Sequence, residues 1–213
     1  MDPNSAAENL QVIRTLMERS ALYRRALAPV MLAAGLLGLA GWFIGERFQF
    51  VTFRAFVVFW FTIAFVVIGV ALLIVRRQAL SSKEPFWTPP TRQVAKAMTP
   101  PLVAGFLIAL PPCLAGASMM SSAMVILWSL LYGCALHSAG LFVSRGVRQL
   151  GWAFILASIV IGHMGLSTNM GGGIDGKPSI WFQPHTLMGL TFGGLHLIAA
   201  VYLYVTEKRK NAQ

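Results

Sequence analysis

Acidic side chains are scarce in this chain. Asp and Glu number 7 against 17 Lys and Arg, and none of Asp2, Glu8, Glu18, Glu46, Glu84, Asp175 and Glu207 falls within a long apolar run. Ion-coupled carriers commonly keep a carboxylate inside the membrane, and acid–base hydrolysis commonly uses two, so both classes lose support. Cysteine is equally rare. Cys113 and Cys134 both sit in apolar runs, which excludes an exposed disulfide framework. Nucleophile elbow, Walker loop and zinc-protease helix are all missing. Gly171-Gly172-Gly173 is followed by Ile174-Asp175-Gly176 rather than by Lys and Ser or Thr, so it reads as a connecting loop and not as a phosphate cradle. No catalytic residue is assigned.

What fills the chain instead is apolar: 56% of its 213 residues are hydrophobic and only 11% are charged. A spanning helix needs roughly 20 mostly apolar residues to cross about 30 Å of hydrocarbon. Six such stretches are legible, at 27–45, 53–75, 101–117, 122–143, 151–167 and 185–206. The expected fold is an all-α, polytopic membrane domain over 27–206, with a short tail at 207–213. Before it, Leu10, Ile13, Leu16 and Met17 recur at helical spacing opposite Arg14, Glu18 and Arg25, predicting an amphipathic helix within residues 1–26. That polar start is no signal peptide, so the first span is expected to serve as an uncleaved anchor.

The net charge of +10 is not a nucleic-acid signature, because the cations lie between the spans rather than along a basic stripe with aromatics. Arg14, Arg19, Arg24 and Arg25, then Arg76, Arg77, Lys83, Arg92 and Lys96, then Arg145 and Arg148, then Lys208, Arg209 and Lys210 alternate with a face holding only Arg47, Arg54 and Lys177. The positive-inside rule then puts both termini in the cytoplasm of a multi-pass protein of the cell's inner membrane.

Seven of the 11 prolines lie between Pro85 and Pro112. They predict an extended segment after the second span with one short helix, Thr91 to Met98, and a helix break at Pro111 and Pro112 in the third. Within 76–100, Pro85, Phe86, Trp87, Pro89 and Pro90 form a proline-aromatic stretch that suits either an interfacial anchor or a protein-docking loop. Small residues on the first span, Ala34 with Gly38 and Gly41 with Gly45, invite close helix approach, as do Ala157, Gly162, Gly189 and Gly193 among the last three spans.

The ionisable groups within the spans are histidines. His137 and His196, flanked by Gly133, Gly140, Gly193 and Gly194, could face each other across a haem b. The plainer reading is that each imidazole bonds a neighbouring Ser, Tyr or carbonyl, with Ser138 and Tyr132 at hand. Toward the other face, His163 and His185 accompany Met119, Met120, Met164, Met170 and Met188, a thioether and imidazole set suited to copper, although methionine is also an ordinary core filler. The leading expectation is a protein without cofactor. It is a non-enzymatic membrane protein acting through a protein partner at the 76–100 loop, as sensor, accessory subunit or anchor, with self-association as a further option. The alternatives are a small transporter or channel for a metal or other small solute, using the broken third span, and a haem- or copper-binding redox protein.

Overall fold

The structure is a computed structural model and describes residues 27–81, 83, 87, 89–116, 121–167 and 183–211. The amphipathic helix expected before Leu27 lies outside them. Among the described residues every regular element is helical, and six helices are long and apolar enough to cross a membrane. These are α1 (Leu27–Phe48), α2 (Phe53–Ser81), α3 (Pro89–Ala115), α4 (Ser121–Ala139) and α5 (Arg145–Ser167), followed by a last crossing that changes pitch on the way. In it α6 (Pro184–Met188) opens into a π-helical stretch, Gly189–Leu195, which closes into α7 (His196–Asn211).

Helix ends are set by local chemistry. Gln49 adopts a left-handed conformation, φ 50°, with its N–H donating to the Gly45 carbonyl at 2.9 Å. Thr52 then caps α2, its hydroxyl accepting from the Ala55 N–H at 3.2 Å. Ser144 does the same for α5, accepting from the Val147 N–H at 3.3 Å. Such caps satisfy amides that have no partner within the helix. They also explain why α5 starts at Arg145 rather than at 151, and why α4 stops at Ala139 rather than at 143.

The proline-rich segment departs furthest from expectation. It is not extended up to residue 100: α2 continues to Ser81, and α3 begins at Pro89 and runs through Pro100, Pro101, Pro111 and Pro112 without a break. Pro89 and Pro90 sit in the first turn, where the missing N–H groups would have had no partner anyway. Each interior proline withdraws a donor from the carbonyl four residues earlier, here those of Lys96, Ala97, Leu107 and Ile108. Trp128 on α4 donates its indole N–H to the Gly105 carbonyl of α3 at 3.1 Å, between the two proline pairs. The expected break at Pro111 and Pro112 is therefore corrected to an unbroken helix.

Two close approaches organise the bundle. A Cβ built on Gly38 would stand 2.9 Å from the Cα of Gly193, and one on Gly189 2.6 Å from Trp42, so α1 lies directly on the last crossing. Glycines also seat α4 on α5, where a Cβ on Gly133 would stand 2.8 Å from the Gly151 carbonyl oxygen. Of the small residues foreseen for close approach, Gly38 meets Gly193, whereas Gly41 faces Trp60 on α2 and Gly189 faces Trp42 on α1. Gly162, expected to join that interface, would bring a Cβ no nearer than 3.8 Å to Ile126. Across α2, α3 and α4 the contacts are aromatic: Phe56 stacks on Trp128 with centroids 6.0 Å apart, and Phe61 lies 5.1 Å from both Trp128 and Phe106. The second helix buries Phe53, Phe56, Val57 and Trp60 along one face and leaves Val58, Phe65, Leu72 and Leu73 exposed for lipid.

Candidate functional site

Between the two glycine-packed pairs lies a cavity of about 400 Å³, bounded by α1 to α4 and the π-helical stretch. Its wall is almost wholly aliphatic and aromatic, with Met31, Val67, Met98, Phe106 and Leu136 representing the faces that meet there. Among the described residues no Lys, Arg, Asp or Glu lines it. Four lining side chains carry a nitrogen or oxygen: Trp60, Trp128, Tyr132 and His196. Both indoles are committed elsewhere, Trp60 donating to the His185 ring at 3.1 Å and Trp128 to the Gly105 carbonyl. That leaves Tyr132 and His196 as the polar point of the cavity.

The geometry of this pair fixes its protons. His196 Nδ1 lies 2.6 Å from the Phe192 carbonyl oxygen, which can only accept, and so Nδ1 carries the hydrogen. Nε2 is then the lone-pair nitrogen and accepts the Tyr132 hydroxyl proton at 2.9 Å. The Phe192 carbonyl belongs to the π-helical stretch. Thr191 supports the same stretch, its hydroxyl donating to the Leu187 carbonyl at 2.7 Å, so side chains complement the backbone bonding where the helix widens. π-Helical turns concentrate at functional positions in membrane and soluble proteins alike. Around the pair, Phe154 sits 5.0 Å from Tyr132 and 5.4 Å from His196, and Phe192 lies 5.2 Å from Tyr132. His196 is 3% exposed and Phe154 fully buried, so both rings are held in place.

Of the two haem candidates, His196 has both ring nitrogens in hydrogen bonds, Nδ1 with the Phe192 carbonyl and Nε2 with the Tyr132 hydroxyl. His137 belongs to a different setting: its ring meets Trp152 edge-on at 5.3 Å, and its Nδ1 is buried without a hydrogen-bond partner.

Of the copper candidates, His163, His185, Met164 and Met188 are described. His163 is exposed on α5, whereas His185 is buried where α6 meets α1 and α2, with Phe56 at 5.2 Å and Phe59 at 5.8 Å, both edge to face. Its Nδ1 accepts from Trp60, and Nε2 faces the Phe50 carbonyl at 3.4 Å. Met188 is packed in the core and Met164 is exposed, while Met119, Met120 and Met170 lie outside the described residues. Among the described residues no three His, Cys, Asp or Glu side chains come together as a metal site would require. Of the proline-aromatic stretch, Pro85 and Phe86 lie outside the described residues, Trp87 is exposed, and Pro89 and Pro90 open α3.

Glu46 also needs correction, since it lies on α1, a spanning helix, and not beyond its end. Its carboxylate accepts from the Thr186 hydroxyl at 3.0 Å and, with the Gln183 amide turned nitrogen-inward, from Gln183 at 2.7 Å. Reading the sequence misses these partners because they stand about 140 residues away. Tyr132 was legible only as a polar ring amid an apolar span. Comparison with protein-family models, with curated proteins and with solved structures finds no match to this chain.

Proposed function

We propose that this protein is a membrane-embedded binding protein that holds a lipophilic small molecule in the cavity between α1 and α4, and that it is a sensor or accessory subunit rather than an enzyme. The single observation that carries the reading is the cavity itself: its volume lies within the roughly 300–1,000 Å³ of small-molecule sites, and it combines an apolar wall with one polar point, the usual composition of such sites. An uncharged wall disfavours ions and charged solutes, whose burial without a counter-charge is costly. The unbroken α3 removes the feature on which a transport path was read.

The reading keeps both termini in the cytoplasm, by the cation distribution. The cavity is then lined in the cytoplasmic half by the beginnings of α1 and α3 and the end of α4. A bound molecule would stiffen the helices flanking the 76–100 segment, where a protein partner is expected.

Trp60 and Trp128 line the cavity and provide the test. A lipid with dibrominated acyl chains, added to the purified full-length chain in detergent, should quench tryptophan fluorescence saturably at one molecule per chain. Ala71→Phe, which fills part of the cavity, should abolish the saturable component and leave the protein folded. Quenching that rises without saturation, equal in both proteins, would refute the reading.

A further inference from the structure

We infer that the cavity selects a neutral lipid alcohol, an apolar molecule whose head is a free hydroxyl. The inference rests on the binding reading above and concerns the chemistry of the head. Because Nδ1 of His196 is held to the Phe192 carbonyl, Nε2 takes the Tyr132 proton, and the phenol oxygen is left with lone pairs but no hydrogen to offer. The polar point of the cavity is therefore an acceptor. A ligand hydroxyl can donate to it without disturbing anything.

A ligand carbonyl, ether or ester oxygen fits less well. To bind it, the Tyr132 hydroxyl would have to turn away from His196 and leave a buried nitrogen unpaired, which costs on the order of 1–3 kcal/mol. Rotation of the ring itself is opposed by Phe154 and Phe192, packed against it at 5.0 and 5.2 Å. Charged heads are disfavoured as well, since no lining residue carries a compensating charge. An acceptor in an apolar chamber within the bilayer is thus matched by an alcohol, either a diacylglycerol or a polyprenol-like chain, both of which present the same O–H.

The experiment compares each alcohol with its own methyl ether, using the full chain in detergent and the tryptophan-quenching readout, with unlabelled lipids competing against the dibrominated probe. The probes are dioleoylglycerol, geranylgeraniol, their O-methyl ethers, and dioleoyl phosphatidic acid as the charged comparison. Wild type should bind at least one alcohol about tenfold more tightly than its ether, the scale of one net hydrogen bond of about 1.4 kcal/mol, and phosphatidic acid should compete weakly. Whichever alcohol shows the difference identifies the source. Tyr132→Phe keeps the ring and should bring the alcohol down to the affinity of the ether while leaving the ether unchanged. Should that variant fail to fold, the wild-type comparison of alcohol with ether decides alone. Equal affinity of alcohol and ether in wild type overturns the head-group inference and leaves the cavity reading standing. Absence of saturable binding by every probe overturns both.

Discussion

Gly151→Ala tests the packing that creates the cavity. Gly151 lies on α5 against α4, and a Cβ there would stand 2.5 Å from the His137 nitrogen, 2.8 Å from the Gly133 carbonyl oxygen and 2.9 Å from the His137 Cα. All three are backbone atoms, so no side chain can rotate away. Comfortable heavy-atom contact lies at about 3.5–4.0 Å, which means that the two helices must part by about 1 Å. Overpacking of this kind costs about 1–3 kcal/mol, and a clash with backbone belongs at the upper end. Replacing a helical glycine by alanine returns about 1 kcal/mol of propensity, leaving a net loss of about 2 kcal/mol. For a chain of this length each kcal/mol moves the midpoint by about 2–4 °C, so thermal unfolding in detergent, followed by tryptophan emission, should fall by about 4–8 °C. Gly69→Ala is the control: nothing lies within 4 Å of its would-be Cβ, and its midpoint should stay level or rise. If Gly151→Ala melts as high as Gly69→Ala, the glycine-mediated approach of α4 and α5 is wrong.

Other perturbations follow from single contacts. Trp60→Phe keeps a ring on α2 but removes the donor to His185, leaving a buried ring nitrogen unpaired, and should lower stability by about 1–3 kcal/mol in the same melting assay; an unchanged midpoint would show that the bond does not form. Thr186→Val deletes one of the donors to Glu46 with little change of shape and should destabilise wild type by about 1 kcal/mol, yet have no effect in a Glu46→Ala background, a double-mutant cycle whose additivity would count against the contact. Pro111→Ala with Pro112→Ala restores donors to the Leu107 and Ile108 carbonyls in a helix that is already continuous, and the double variant should melt no lower than wild type. Reporter domains fused after Ser118 and after Gly176 should both sit outside the cytoplasm, and either one found inside would reverse the orientation read from the cations.

Much of the architecture was legible because its cause is local in the chain. An apolar run of about 20 residues is a spanning helix wherever it occurs, and all six runs correspond to helices that are long and apolar enough to cross. Boundaries failed where a neighbour decides the outcome. Nothing in Thr99-Pro100-Pro101 announces that α3 continues through it, and the partners of that helix, Trp128 on α4 and Phe61 on α2, lie far away in sequence. Which partner each histidine takes is likewise settled by neighbours remote in the chain. His185 finds Trp60 across 125 residues, and His196 finds Tyr132 across 64, separations at which the spacing of residues carries no signal.

The cavity is a consequence of how the small residues are distributed. Inside a bilayer, apolar side chains gain little from each other that lipid would not also give, so close backbone approach and van der Waals fit decide which helices pair. Glycines draw α1 onto the last crossing and α4 onto α5. Across α2, α3 and α4 bulky rings meet instead, with Phe61 against both Phe106 and Trp128. Part of the cavity wall is built of smaller side chains such as Ala71, Val94 and Ala139. His196 stands at its edge because the π-helical turn just before it presents the Phe192 carbonyl to Nδ1. The same glycine, Gly193, that admits α1 lies within that turn, so the device that opens the chamber and the device that orients its polar point share one short stretch of chain.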